Sequence, residues 1–211
     1  MTALFQNLFR EADTAPLVAT RRSVMRSAHA IGPLGRCAAI ATIAAALIAA
    51  LQDGVPAASS ISVALLVPAA TVDIVEKRLP NQIIAASALA LAVGFALNSS
   101  SVLASNVMLG SALLAGPLLF LHLLSPGSMG FGDVKMALVL GAAVGAVHWQ
   151  LALATIALAA GATATVALLR RMTEIAFGPG LVGAAAFSLL AQTLMLTPAA
   201  LDSTISIGHI A

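Results

Sequence analysis

Charge is the scarcest thing in this sequence. Only 9% of its 211 residues are charged while 60% are hydrophobic, and mean hydropathy is +1.03. A soluble domain carries about 25% charged residues, so this chain cannot cover a water-facing surface, and a soluble protein is excluded. The formal net charge of +2 is too small to imply nucleic-acid binding. Cys37 is the single cysteine, which excludes an internal disulfide and any zinc site of the paired Cys-x-x-Cys kind. No His-Glu-x-x-His occurs, and no Ser-His-Asp or Cys-His spacing is apparent. The chain reads as an integral membrane protein forming one compact bundle, with no second sizeable soluble domain and no requirement for a metal or cofactor.

What the sequence has in plenty is apolar runs. Seven of them, at about 37–52, 58–75, 82–98, 102–124, 133–149, 150–169 and 179–197, lie near the roughly 20 residues that a spanning helix needs. The expected fold is all-α, a polytopic membrane bundle of about seven transmembrane helices. Short connections rich in breakers separate most of them: Gln52-Asp53-Gly54, Leu79-Pro80-Asn81, Asn98-Ser99-Ser100-Ser101, Ser125-Pro126-Gly127-Ser128 and Phe177-Gly178-Pro179. Between the fifth and sixth runs only His148, Trp149 and Gln150 mark a break, as an interfacial aromatic and polar turn would.

Loop charge orients this bundle. With the N-terminus in the cytoplasm and the helices alternating, the inside connections hold Arg10, Arg21, Arg22, Arg26, Arg36, Lys77, Arg78, Lys135, Arg170 and Arg171, which are all 10 basic residues. The outside connections hold none. The positive-inside rule then gives an inner (cytoplasmic) membrane protein with its N-terminus in and its C-terminus out. It also sets Asp73, near the cytoplasmic end of the second helix, and Asp133, at the cytoplasmic start of the fifth, at one depth on one face.

Residues 1–36 are the one region of mixed polarity. They read as a basic cytoplasmic tail, solvated or carrying a short amphipathic helix on the membrane surface, ahead of a transmembrane domain over 37–211. Arg21-Arg22-Ser23 before an apolar run and Val55-Pro56-Ala57-Ala58 after it look superficially like a twin-arginine signal. The long stretch before the arginines and the further spans favour an uncleaved anchor.

An ionisable group at a membrane boundary is expensive and marks function by default. Two close carboxylates cannot both ionise cheaply, so they share a proton: the ionised one activates water and the protonated one polarises a carbonyl. That is aspartic protease chemistry. Asp133, at a helix N-terminus, is expected to hold the anion, because dipole and free amides favour it there. Asp73, towards a helix C-terminus, is expected to hold the shared proton, although such a pair titrates as a unit. Gly130 and Gly132 frame Asp133 and suit a loop that approaches substrate closely or adopts positive φ. Alone, Gly-x-Gly-Asp is a weak signal; facing a second acid at one membrane boundary, it is a strong one.

Three stretches resemble the motifs of type IV prepilin peptidases. Asp73 with Lys77-Arg78-Leu79-Pro80-Asn81 is similar to their first-aspartate motif. Gly130-Phe131-Gly132-Asp133-Val134-Lys135 resembles their Gly-x-Gly-Asp-Val-Lys, and Phe177-Gly178-Pro179 is similar to the Phe-Gly-Pro that opens their last helix. The three come in the family's order within about 55–197. The resemblance implies an aspartic endopeptidase of the intramembrane Gly-x-Gly-Asp class, with Asp73 and Asp133 catalytic. Its substrates would be prepilins or pseudopilins, which lose a short basic leader at the cytoplasmic membrane face. By the same match Gly130, Gly132, Lys77, Arg78, Pro80, Asn81, Lys135, Phe177, Gly178 and Pro179 shape the site or bind substrate. Longer members add a cytoplasmic domain with zinc-binding cysteines that methylates the new N-terminus. That activity is not expected here, and the chain looks like the short form of tight-adherence (Flp) pilus systems. The tail, and Gly180 where a bulkier apolar residue is common, depart from the pattern. A physical reason supports the substrate class: a basic leader stays among headgroups while its apolar helix enters the bilayer, which leaves the scissile bond at the depth of the two acids.

The remaining residues read as structural. Lys135 is expected to snorkel to headgroups rather than orient Asp133 or a phosphate, and Glu76 to be a solvated partner of Lys77 or Arg78 rather than a dock for the leader. His122 and His148 are interfacial, and Cys37 is inert. Gly141-Ala142-Ala143-Val144-Gly145 is a close-packing signature. Pro68 and Pro117 are kinks, of which Pro68 could aim Asp73, and Pro179 suits a first turn. A small proton-coupled transporter is the main rival, but it calls for acids near mid-bilayer and gives no reason for the glycine-framed loop. A presenilin-like protease pairs Tyr-Asp with its Gly-x-Gly-Asp, and this chain has no tyrosine. A non-catalytic pilus assembly factor is the reading left if the acids lie apart.

Overall fold

In the computed structural model of the protein, residues 19–27, 30, 32–51, 55–97, 100–124, 130–171 and 176–207 are described. They are helical and carry no strand among the described residues. A short helix, α1, covers 19–27. It is followed by α2 (Pro33–Ala50), α3 (Ala57–Glu76), α4 (Asn81–Leu97), α5 (Ser101–Leu124), α6 (Phe131–Gly145), α7 (Gln150–Arg170) and α8 (Gly178–Ile207). The seven apolar runs thus correspond to α2–α8, and helix over 19–27 occupies part of the region read as a tail. Residues 1–18 lie outside the described residues.

Length separates these helices. Three of them, over Ala57–Glu76, Ser101–Leu124 and Gln150–Leu169, are long and apolar enough to cross a membrane. Shorter apolar stretches fill Gly35–Ala50, Asn81–Leu97 and Gly178–Gln192. Helix α6 has only 15 residues, about 22 Å at 1.5 Å per residue against a hydrocarbon core of about 30 Å. The expected run to residue 149 stops at Gly145, where the chain tightens and the Val147 amide bonds the Val144 carbonyl three residues back.

The acid-bearing helices are the inner ones. Helix α3 packs against α2, α4, α6 and α8, and α6 packs against α3, α4, α5, α7 and α8. Over its apolar window 56% of α3 is buried, against 22% of α5 and 17% of α7. The outer helices turn large apolar side chains outward, among them Leu97, Phe120 and Leu168, a surface that suits lipid and not water.

Apolar side chains cannot drive helices together inside lipid, so packing depends on close backbone approach and interhelical hydrogen bonds. Both occur. Ser62 and Ser87 join α3 to α4 through their hydroxyls at 2.5 Å, with Ser87 also donating to the Ser62 carbonyl at 2.9 Å. Thr155 donates to Ser188 at 2.9 Å between α7 and α8. On α5 and α6 the backbones meet: a Cβ on Gly110 would lie 2.5 Å from the Gly141 carbonyl oxygen and 2.7 Å from the Gly145 Cα. The 141–145 stretch is the close-packing surface that its spacing suggests.

A stability experiment follows. Gly→Ala inside a helix ordinarily gains about 1 kcal/mol from propensity, and Gly116→Ala on α5, with nothing within 4 Å of its added methyl, is expected to show that gain. Gly110→Ala meets backbone atoms that cannot rotate away, so overpacking of about 1–3 kcal/mol exceeds the gain and the protein loses stability. Thermal unfolding in detergent, with the two variants moving the midpoint in opposite directions, checks this.

Candidate active site

The turn after α3 explains its own motif. Helix α3 ends with Lys77 in the left-handed conformation (φ 52°), its amide bonded to the Asp73 carbonyl at 3.1 Å. Pro80 cannot continue a helix, and its carbonyl instead accepts the amides of Ile83 and Ile84 that open α4. Asp73 therefore sits on the last turn of α3, 6% exposed. Arg78 is turned away from it: its guanidinium Nε donates to Glu76 Oε2 at 2.8 Å, and its side chain is 74% exposed. Glu76 is the ion-pair partner that its position suggests. Lys77 is exposed but acts electrostatically on Asp73.

Helix α6 begins at the same end. Gly130 is extended (φ −71°, ψ 139°) ahead of it, and Asp133 falls in the first turn with its amide on the Gly130 carbonyl. Among the described residues the positive-φ non-glycines are Lys77 and Arg171; Gly130 needs no left-handed backbone. The reason for Gly132 is contact: a Cβ there would lie 3.1 Å from Leu79 Cβ. The turn after Asp73 thus lies directly on the glycine loop before Asp133. Lys135 closes the join by donating to Asn81 Oδ1 at 3.3 Å, with its ammonium 5.2 Å from the centre of the Phe131 ring. Phe131 in turn tilts against His122 of α5 at 5.5 Å between ring centres. Lys135 is exposed, as snorkelling requires, but it also links α6 to α4.

Helix α8 supplies the third wall. Its first amides have no partner within the helix, and Gly178 donates its own to Asp73 Oδ2 at 3.2 Å. Pro179, in the first turn, has no amide to offer. A Cβ on Gly178 would lie 2.8 Å from Asp73 Oδ2 and 3.2 Å from Met136 Cε, so any larger residue there would displace the Asp73 carboxylate. Phe177 packs on the core and accepts the Leu181 amide. Gly180 departs from a bulkier residue for a local reason: its face lies against Thr163 and the Ala159 carbonyl of α7.

The two acids share this pocket of structure. The charge of Asp73 acts directly on Asp133, and Asp133 Oδ1 is buried without a hydrogen-bond partner among the described residues. The backbone donor falls on Asp73, not Asp133. Each acid's own helix favours the anion on Asp133; the backbone amide that Asp73 accepts comes from α8, 105 residues along the chain. Sequence reasoning also passed over Met136, which is fully buried one turn beyond Asp133 and fills the space between α6 and α8. Its spacing from Asp133 was the available signal.

Lys135→Met and Asn81→Ala are each expected to lower stability by no more than about 1 kcal/mol, the worth of one exposed hydrogen bond. The double variant should lose little beyond either single one. A double-mutant cycle by thermal unfolding measures that coupling; fully additive losses would show that the two side chains do not act together.

No curated protein and no solved structure matches the chain significantly. A family model described as the type IV leader peptidase family matches residues 60–169. That range holds Asp73, the 77–81 turn and the glycine loop through Lys135, and stops short of Phe177–Pro179. The match spans just over half of the 211 residues, on a multi-pass helical bundle that brings both acids to one end: the chain belongs to the type IV leader peptidase family.

Proposed function

We propose that the protein is an aspartic endopeptidase that removes the short basic leader of type IV prepilin-like proteins. The supporting observation is the convergence of α3, α6 and α8 on one pair of acids, with Asp73 buried beneath the first amide of α8 and its charge acting on Asp133. Gly178 favours the anion on Asp73, since a hydrogen bond to the charged form stabilises it. Asp73 then takes a proton from the attacking water, and Asp133 carries the proton that polarises the scissile carbonyl. The carbonyl carbon gains the water oxygen, the tetrahedral intermediate collapses, and the amine leaves with a proton returned by the pair.

In the same reading α2–α8 are seven spans, with the N-terminus inside and the C-terminus outside. The exposed cations Lys77, Arg78 and Lys135 cluster at the end that carries both acids, which suits the cytoplasmic face of an inner membrane. The 1–36 and 37–211 division is part of this proposal, as is the absence of N-methylation, which rests on the single cysteine. The transporter reading is weaker because the acids sit at helix ends and not at mid-helix.

The test is to mix detergent-solubilised protein with candidate prepilins and follow leader loss by mass spectrometry. Cleavage with an unmodified new N-terminus is the expected result. No cleavage of any prepilin, or a methylated product, would contradict the reading.

A further inference from the structure

Helix α1 lies outside the matched family region, and its two sides differ sharply. At 3.6 residues per turn, Thr20, Ser23 and Ser27 fall on one side and Arg21, Arg22 and Arg26 on the other. Ser23 and Ser27 are buried, Thr20 is half-buried, and all three arginines are exposed. The small polar side is fastened to the bundle at two points. Ser23 Oγ donates to Glu76 Oε1 at 2.6 Å, and Thr20 Oγ1 donates to Gln82 Oε1. Glu76 ends α3 and Gln82 is in the first turn of α4, so α1 straddles the turn that follows Asp73.

This is not the usual interfacial helix, which buries an apolar face among acyl chains. The side of α1 turned to the protein carries hydroxyls beside half-buried Val24, and what it leaves outside is three guanidinium groups with Met25 among them. Glu76, which Ser23 touches, has one oxygen on Ser23 and the other on Arg78 and lies in the field of Arg26; of the other described acids, Asp73 and Asp133 are at the site and Asp202 falls late in α8. The chain enters apolar α2 at Pro33, six residues beyond Ser27. Helix α1 is therefore held at the level where the bundle meets headgroups, beside the exposed Lys77 and Arg78. Guanidinium forks match phosphate oxygens in geometry and charge, and anionic headgroups are the phosphates found at that depth.

We infer that Arg21, Arg22 and Arg26 form a docking face for anionic phospholipid headgroups, with Thr20 and Ser23 holding the helix in place against α3 and α4. The inference needs the membrane reading of the bundle and not the peptidase chemistry.

Native mass spectrometry of the full chain in detergent, titrated with phosphatidylglycerol or phosphatidylcholine, tests it. The wild type is expected to retain phosphatidylglycerol in preference to phosphatidylcholine. R21Q/R22Q/R26Q is expected to lose on the order of tenfold or more of that preference, given the attraction per basic residue at an anionic surface. R21K/R22K/R26K, which keeps the charge, should retain most of it, separating loss of charge from loss of fold. Inorganic phosphate at millimolar concentration should displace little lipid. Unchanged phosphatidylglycerol retention in the Gln variant, or equal retention of both lipids by the wild type, overturns the proposal. Full displacement by inorganic phosphate does so too, since it would mean a free-anion site. Because the readout is lipid retention, a protein that cleaves no prepilin can still pass this test, and a true peptidase can fail it.

Discussion

Asp73→Asn and Asp133→Asn are each expected to abolish leader cleavage while leaving the bundle folded. The exchange is isosteric and removes only the ability to hold or release a proton. Asp73→Asn still offers an oxygen to the Gly178 amide, so α8 keeps its seat on α3. Loss of one positioned proton-transfer group lowers rate by roughly 10²–10⁴-fold, which takes a slow membrane protease below detection. In the proposed mechanism the two acids act as a unit, so the double variant should be no worse than either single one. The measurement is initial rate against a prepilin, beside the thermal midpoint. Processing that persists in either variant would remove the two-acid mechanism, and a collapsed midpoint would turn the result into one about folding.

Gly178→Ala is the second large effect. The added methyl would lie 2.8 Å from Asp73 Oδ2, closer than real contacts allow. Either the carboxylate rotates off its donor or the start of α8 retreats, and in both cases the 3.2 Å bond from the Gly178 amide is lost. A displacement of about 1 Å at a reacting centre costs on the order of 10²-fold. The expected outcome is therefore a kcat reduced by about that factor with KM little changed. Gly183→Ala, on the same helix with nothing within 4 Å of its added methyl, is the control and should cleave normally. Equal rates for the two variants would show that the α8 amide has no part in the reaction.

These two variants sit on either side of what was readable in advance. The acids were legible because a carboxylate in a chain so poor in charge has few structural uses, and because loop charges set both at one depth. Pro179 was legible as a first-turn residue. The use of Gly178 was not, because nothing local in Phe177-Gly178-Pro179 says which distant side chain its amide meets. Gly130 and Gly132 were marked for close approach to substrate or for positive φ: Gly130 needs no left-handed turn, and the contact that the fold gives Gly132 is with Leu79. A helix such as that over 19–27 was one of two readings left open for the tail, and the sequence did not decide between them. Arginines spaced along a polar stretch look alike whether solvated or docked, and the deciding contacts, Ser23 to Glu76 and Thr20 to Gln82, span 53 and 62 residues.

Composition and order along the chain determined the membrane class and the helical segments, and they are the source of the proposed orientation and of the proposed pair of acids. Those follow from solvation, which acts on each stretch separately. Which helix lends Asp73 a donor, why a methyl at position 178 would displace the Asp73 carboxylate, and where α1 rests were decided only by tertiary packing. A helix end leaves its amides open to any partner within reach, and reach is a property of the assembled bundle.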